Sequence, residues 1–274
     1  MKKVFVTGWP IKQSKSPMLH GFWLKQYGIE GSYEAHGVEP ENFEQFLKDL
    51  PKSEFLGGNV TLPHKEITFA NVDHLDDAAT AIGAVNTLWL EGEKLCGGNT
   101  DAYGFSANMD QFVPAWKNGK TAIVLGAGGA ARAIIYAVLQ AGFEEVYIVN
   151  RTLERAQNLA VLFGDKCQAH SWDDLSNLLP KADFIVNTTS IGMAGSDTSM
   201  MPDLSALPKS AIVSDIVYIP LETPFLKSAN DLDLQTVDGL GMLLHQAVPG
   251  FEKWFGIRPE VSDELREYIL DLSS

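Results

Sequence analysis

Apolar residues recur along this chain in two alternating rhythms. Short runs rich in β-branched residues read as buried strands, and longer stretches with apolar positions three and four apart read as helices. The first run, Lys3–Gly8, predicts a strand. A polar loop leads to Ser16 and Pro17, where a capping serine and a first-position proline open a helix. Leu19, Phe22 and Trp23 line one face of that helix, and Gly28 ends it. Ser32 to Val38 alternates weakly as a second strand, and Pro40 to Leu50 is an amphipathic helix with Phe43, Phe46, Leu47 and Leu50 on its inner face. Phe55 to Thr61 predicts a third strand, Asp73 to Ala81 a helix, and Ala84–Leu90 with Lys94–Gly97 a hairpin turning at Glu91 and Gly92. Tyr103 to Val113 is helical.

From residue 120 the alternation becomes regular. Strands are expected at 120–125, 145–150, 182–187 and 211–216, helices at 130–141, 152–163 and 172–179, and two last helices at 239–255 and 261–272. This order predicts an α/β protein of two domains with mostly parallel sheets. Too few strands follow residue 216 to close another domain, so the last helices are assigned back to the first. The expected division is 1–101 with 240–274, and 102–239.

The most informative turn lies between the strand 120–125 and the next helix: Gly126-Ala127-Gly128-Gly129-Ala130-Ala131, a G-x-G-x-x-A pattern. Gly126 permits the tight turn, Gly128 admits a pyrophosphate to the backbone, and Ala131 lets helix and strand pack closely. The free N–H groups and positive dipole end of the helix then face the phosphates. Many glycine-rich matches are only turns, but a strand before and a helix after is the context that gives this one meaning. The following strand ends at Asn150, near the position where an NAD site carries an acidic residue for the ribose 2′-hydroxyl. Here the tip reads Asn150-Arg151-Thr152-Leu153-Glu154-Arg155. Arginines can grip a 2′-phosphate with charge-assisted bonds, and a cation at a helix start opposes the dipole unless an anion joins it. The cofactor expected is NADP, with Thr152 capping the helix and offering a hydroxyl.

Charge narrows the partners. The formal net charge is −14 and the pI about 4.8, which argues against nucleic acid and anionic membrane surfaces. Any anion site must be built from local cations. Two distant cysteines, Cys96 and Cys167, fit no metal or redox spacing, and no two of the six histidines pair at ligand spacing, so no metal is expected. Gly8, Trp9 and Pro10 break the first apolar run too early for a signal peptide. No run of about 20 apolar residues suggests a membrane span. A cytoplasmic protein is expected, monomeric or homodimeric.

A nicotinamide site needs a group that moves a proton together with the hydride. Lys65 follows a strand end carrying the neutral polar Asn59 and Thr61, and Asp101 lies in the turn Gly98-Asn-Thr-Asp101. Spacing leaves both open: Lys65 between a solvated charge and an acid/base, Asp101 between a helix cap and a substrate ligand. Ser14, Ser16, Asn59, Thr61, Asn86, Tyr218 and Gln246 offer uncharged donors and acceptors suited to a polyol, or serve merely as turn and cap residues.

Together these pieces resemble the shikimate dehydrogenase family over almost the whole chain. The matching segments are Ser14-Lys-Ser16-Pro, Asn59-Val-Thr61-Leu-Pro-His-Lys65, Gly83-Ala-Val-Asn86-Thr, Gly98-Asn-Thr-Asp101, Gly126-Ala-Gly-Gly-Ala130, Asn150-Arg-Thr-Leu-Glu-Arg155, Asp215-Ile-Val-Tyr218 and Gly241-Met-Leu-Leu-His-Gln246. Ser190 stands where the family commonly has proline, and His64 where it often has an aromatic residue. The resemblance implies NADPH-dependent, reversible reduction of 3-dehydroshikimate to shikimate in a cleft between a substrate domain and a Rossmann domain. It implies Lys65 as acid/base and Asp101 as its orienting partner on the substrate hydroxyls. Ser14 and Ser16 would take the carboxylate. Asn59, Thr61, Asn86, Tyr218 and Gln246 would bind the ring hydroxyls or complete the pocket. Gly126 to Ala130 would hold the pyrophosphate and Asn150, Arg151, Thr152 and Arg155 the 2′-phosphate. Thr188, Ile216, Gly239 and Met242 would lie at the nicotinamide end, and Asp77 would be a further polar contact. The competing readings are an NAD-using quinate/shikimate paralogue, against which Arg151 and Arg155 argue, and a silent metabolite sensor, against which Lys65 and Asp101 argue.

Overall fold

A computed structural model describes the chain except residues 194, 196–199 and 273–274. It divides into two compact units: Met1–Thr100 together with the chain from Leu244 onward, and Asp101–Leu243.

The first unit opens with β1 (Lys2–Gly8), α1 (Ser16–Gln26), β2 (Gly31–Gly37), α2 (Pro40–Asp49) and β3 (Phe55–Val60). It continues through α3 (Lys65–Asn71), β4 (His74–Leu75), α4 (Asp77–Ile82), β5 (Thr87–Glu91) and β6 (Lys94–Gly98). The sheet order is β2-β1-β3-β5-β6-β4. β1 lies parallel to β2 and to β3, while β5 runs antiparallel to both β3 and β6. The expected hairpin therefore forms, and it reverses direction within an otherwise parallel-rich sheet. On one face Phe5, Phe43, Leu47, Leu50, Val60 and Leu88 form a core, so the helical spacing of α2 did mark its buried stripe.

Three local expectations change. The helix expected over 73–81 begins only at Asp77, because Asp76 caps it by accepting a hydrogen bond from the Ala79 N–H, and residues 74–75 join the sheet instead. Ser16 is the first residue of α1 rather than its cap; Lys15 holds that position, and the Ser14 hydroxyl accepts from the Ser16 N–H at 3.3 Å. The turn after β3 winds into α3, an element the apolar pattern did not mark because only Thr68 of it is buried.

The second unit holds α5 (Asp101–Phe112), β7 (Thr121–Leu125), α6 (Gly129–Gln140), β8 (Glu145–Asn150), α7 (Leu153–Phe163), β9 (Cys167–Ser171), α8 (Leu175–Leu178), β10 (Phe184–Asn187), β11 (Ile212–Asp215), α9 (Pro224–Asn230) and β12 (Gln235–Val237). α10 (Leu240–Phe255) begins in this unit and continues into the first, where α11 (Asp263–Asp271) follows. All strands of the second sheet pair in parallel in the order β12-β11-β10-β7-β8-β9. That is the doubly wound dinucleotide-binding order, with the reversal between β7 and β10, where ligands bind at the strand ends. β9, β12 and α9 were not anticipated. β9 and β12 are short, polar edge strands whose pairing, not whose composition, makes them strands.

Candidate active site

In the first unit the candidate residues gather at one edge of the sheet. β1 and β3 are parallel, and their loops are tied together: the Thr61 N–H donates to the Thr7 carbonyl at 2.8 Å and Trp9 N–H to the Leu62 carbonyl at 3.1 Å. The loop bearing Ser14 and Ser16 and the turn bearing Thr61 and Lys65 therefore leave the sheet side by side. Because β5 is antiparallel, its start lies at that same edge, which brings Asn86 there; the end of β6, followed by Asn99 and Thr100, arrives there too.

Hydrogen bonds lock this edge. Asn86 Oδ1 accepts from the Thr100 N–H at 2.9 Å and from the Thr87 hydroxyl at 2.8 Å. Asn99 Nδ2 donates to the Ala84 carbonyl. Asp76 Oδ1 accepts from the Asn99 N–H as well as from its own helix, and burial pushes its carboxyl up from the ordinary range. The 99–100 turn is thereby held immediately before Asp101, which opens α5 rather than capping a helix at Tyr103. Lys65 is half-buried at the first turn of α3, and its carbonyl accepts from the Val85 N–H. His64 packs flat on Phe43 with ring centroids 3.9 Å apart and bonds the Val38 carbonyl, so the imidazole serves as a core ring.

Asn59 is placed differently from the others. It is 6% exposed, and both ends of its amide are committed inside the unit. Its Nδ2 donates to the Asn86 carbonyl and to Thr87 Oγ1, each at 3.1 Å, and its Oδ1 accepts from the Tyr33 hydroxyl. Tyr33 stacks on His20 with centroids 4.0 Å apart. Burial raises the Tyr33 phenol well above its ordinary value, and drives His20 down to about 3. Gln246 lies on α10 in the first unit, and Asp77 is exposed at the first turn of α4.

In the second unit the glycine-rich turn joins β7 to α6. Gly126 has φ +109°, and a Cβ there would meet Thr188 Oγ1 at 2.6 Å and Thr189 Cγ2 at 2.9 Å. Only glycine satisfies both the backbone angle and the close approach of the neighbouring loop. Gly128 and Gly129, by contrast, face open space where a Cβ would stand. The start of α6 has no side-chain cap and no acidic residue in its first turn. An uncapped helix N-terminus above bare glycines is a cradle for phosphate oxygens, with Ala127 and Ala130 flanking it. At the tip of β8, Asn150 Nδ2 donates to the Thr152 carbonyl. Thr152 takes the cap position of α7, but its hydroxyl makes no capping bond. Arg151 and Arg155 are exposed and engage no side-chain partner among the described residues. These features fit a nucleotide carrying a 2′-phosphate.

A cavity of about 370 Å³ opens beyond β10 and β11, lined by Thr188, Thr189, Ser190, Met193, Ile216, Val217, Tyr218 and Ile219. That volume lies in the range of small-ligand pockets. Thr188 donates its hydroxyl to the Leu125 carbonyl at 2.7 Å, tying the cavity to the glycine turn. Gly239 lies against the Ile216 backbone, where a Cβ would come within 2.4 Å of the Ile216 carbonyl. Burial raises the Tyr218 phenol. Met242 follows on α10. Beneath the cavity sit Asn187, Asp215 and Thr223, all buried. Sequence reasoning gave Asn187 and Asp215 no role of their own, although Asp215 stands in one of the segments that carry the resemblance. Their signal was two polar residues closing two apolar strands at matching positions.

Comparison with known proteins bears on the whole chain. Residues 6–88 match the model of the shikimate dehydrogenase substrate binding domain, residues 110–241 that of shikimate / quinate 5-dehydrogenase, and residues 239–263 that of the shikimate 5′-dehydrogenase C-terminal domain. A shikimate dehydrogenase (NADP(+)) of Brucella abortus is 58% identical over 271 residues, covering 98% of this chain and 94% of its own. Among solved structures, the shikimate 5-dehydrogenase of Thermus thermophilus in complex with NADP(H) and shikimate superposes with a TM-score of 0.86 at 36% identity over 99% of each chain. The quinate dehydrogenase of Corynebacterium glutamicum in complex with NAD gives 0.90 at 29% identity, over 98% of this chain and 99% of its own.

Proposed function

The chain belongs to the shikimate dehydrogenase family, and we propose that Lys65 and Asp101 carry out here the reversible, NADPH-dependent reduction of 3-dehydroshikimate to shikimate. The protein is an NADP-dependent oxidoreductase of the shikimate pathway. When bound, the nicotinamide supplies or accepts the hydride. Lys65 gives a proton to the carbonyl oxygen as it becomes a hydroxyl and takes it back in the reverse direction. Asp101 accepts from a substrate hydroxyl. Ser14 and Ser16 hold the carboxylate, and Thr61, Asn86, Tyr218 and Gln246 bind the ring hydroxyls. Asn59 completes the pocket from behind. The turn from Gly126 to Ala130 takes the pyrophosphate, Asn150, Arg151, Thr152 and Arg155 the 2′-phosphate, and Thr188, Ile216, Gly239 and Met242 the nicotinamide end. Asp77 is a polar contact on the first unit. The first unit, with α11, is the substrate domain and the second the nucleotide domain.

The observation that supports this most is the convergence of four chain-distant loops on one sheet edge: the first three carry Ser14, Ser16, Thr61, Lys65 and Asn86, and the fourth leads into Asp101. Polar groups of that kind match a neutral polyol ring bearing one carboxylate. Among the described residues no helix is long and apolar enough to cross a membrane, and both cysteines are free and buried. With these facts goes the reading of a cytoplasmic enzyme, acting as a monomer or homodimer on a small molecule. The test is kcat/KM for shikimate and quinate, each with NADP and NAD. Preference for shikimate with NADP supports the assignment. Comparable turnover of quinate with NAD replaces it by the paralogue, and binding without turnover replaces it by a sensor.

A further inference from the structure

Asn187 and Asp215 end paired parallel strands in direct register. Asn187 Nδ2 donates to Asp215 Oδ1 and to the Ile191 carbonyl, both at 3.0 Å. Its Oδ1 accepts from the Thr189 N–H at 3.0 Å and from the Thr189 hydroxyl at 2.7 Å, and that hydroxyl in turn accepts from the Ile191 N–H. Every hydrogen-bonding position of the amide is thus spent on the loop that forms one wall of the cavity and on the carboxylate beside it. Asp215 secures the other wall. Its Oδ1 also accepts from the Val217 N–H at 3.0 Å, and its Oδ2 accepts from the Thr223 hydroxyl at 2.7 Å. The Thr223 hydroxyl caps α9 by accepting from the Leu226 N–H. Asn187 is 1% exposed, and Asp215 and Thr223 are fully buried. None of the three lines the cavity; the residues they fix, Thr189, Val217 and their neighbours, do.

We propose that Asn187 and Asp215 form a positioning pair that sets the distance between the two walls of the nicotinamide pocket, and so controls how the nicotinamide ring is presented for hydride transfer. The inference rests on the reading of this cavity as the nicotinamide end of an NADP site. Its physical basis is the donor set. Three donors, from Asn187, Val217 and Thr223, converge on the Asp215 side-chain oxygens. The carboxylate joins one loop to the other through a single amide. Neighbouring Ile216, against whose backbone Gly239 packs, is carried on the same peptide segment. Removing either member leaves buried donors unpaired, and those donors recover partners only if the loops shift.

The test separates the nicotinamide half of the nucleotide from its adenine half. NADPH and 2′,5′-ADP, which lacks nicotinamide, are titrated against the wild type, D215A, N187A and the isosteric D215N by protein fluorescence. The expected result is about tenfold weaker NADPH binding in D215A and N187A with 2′,5′-ADP within about twofold, a pattern worth about 1.4 kcal/mol confined to one half of the ligand. D215N, which keeps an acceptor oxygen and the volume, should recover most of the loss. Shikimate oxidation should show kcat falling more than the KM for shikimate. Equal weakening of both nucleotides, or none of either, overturns the pair. If D215A and N187A do not fold, T223V, which removes one of the three bonds to Asp215, reads the same ratio. A wild type that binds 2′,5′-ADP but gains nothing from the nicotinamide would remove the underlying reading instead, and the pair with it.

Discussion

The Tyr33 hydroxyl donates to Asn59 Oδ1 at 2.6 Å in the interior of the first unit. Through that bond the aromatic stack of His20 and Tyr33 is joined to Asn59, and through Asn59 to Thr87. The Thr87 and Thr100 hydroxyls lie 3.3 Å apart, so the line of contacts ends one residue before Asp101. A chain of buried hydrogen bonds rigidifies what it joins. Asn59 consequently acts on the site by holding the strands and turn around it.

Asn59→Ala should therefore destabilise the fold even with no substrate present. It strands the Tyr33 hydroxyl and removes two donations, which costs about 1–3 kcal/mol. Tyr33→Phe leaves the buried Asn59 Oδ1 without its donor and should cost about 1–3 kcal/mol by the same principle. Urea unfolding of the ligand-free proteins measures both. Unchanged stability of N59A, with a raised KM for shikimate, would return Asn59 to the role of a direct ligand.

Lys65→Ala should retain shikimate binding and lose about 10²–10⁴ in kcat, the range of a missing general acid/base. Steady-state kinetics decide it: a large rise in KM with kcat preserved would assign Lys65 to uniform binding instead.

Arg151→Ala should weaken NADPH far more than NADH, because in the proposed site only the former carries a phosphate for the guanidinium to meet. Loss of one charge-assisted bond is worth about 1.5–3 kcal/mol, and removing Arg151 together with Arg155 should abolish most of the preference. Comparable weakening of both nucleotides in binding titrations would reject the 2′-phosphate assignment.

Asp215 should make the stability of the protein depend on pH. Burial raises its carboxyl to about 6, against the opposing hydrogen bonds from Thr223, Val217 and Asn187. The folded state therefore holds this proton more tightly than the unfolded chain, whose carboxyl titrates near the ordinary 3.8. Stability from this group is greatest below both values and falls as pH rises from about 4 to about 6. The two-unit difference corresponds to about 3 kcal/mol. Relative to D215N, which does not titrate, the wild type should lose roughly that amount between pH 4 and pH 7.5 in denaturant unfolding. A difference that stays flat with pH, or rises, would show that the carboxylate is better solvated than its burial implies.

The one-dimensional pattern by itself determined the class of the fold and the place of the glycine turn between β7 and α6. Both follow from local physics: a β-branched run, a glycine turn and a helix start are contiguous in the chain, so Gly126, Gly128 and the arginines after Asn150 declare themselves by spacing. The stripe of α2 was legible for the same reason, since a helix writes its buried face into the sequence every three to four residues. Tertiary structure decided what depends on pairing. β9 and β12 are strands because a neighbour supplies their ladder partners, and Ser16 lost its cap position to the geometry of the turn before it. Asn59 looked like one more polar residue among the neutral ligands, and its commitment to Tyr33 and Thr87 emerged only when β2, β3 and β5 were brought into one sheet. Asn187 and Asp215 are 28 residues apart in the chain, and a hydrogen bond across that separation exists only because β10 and β11 pair in register. Sequence records which groups a chain possesses, while the desolvation and the partners that set each group's role come from neighbours brought in by the fold.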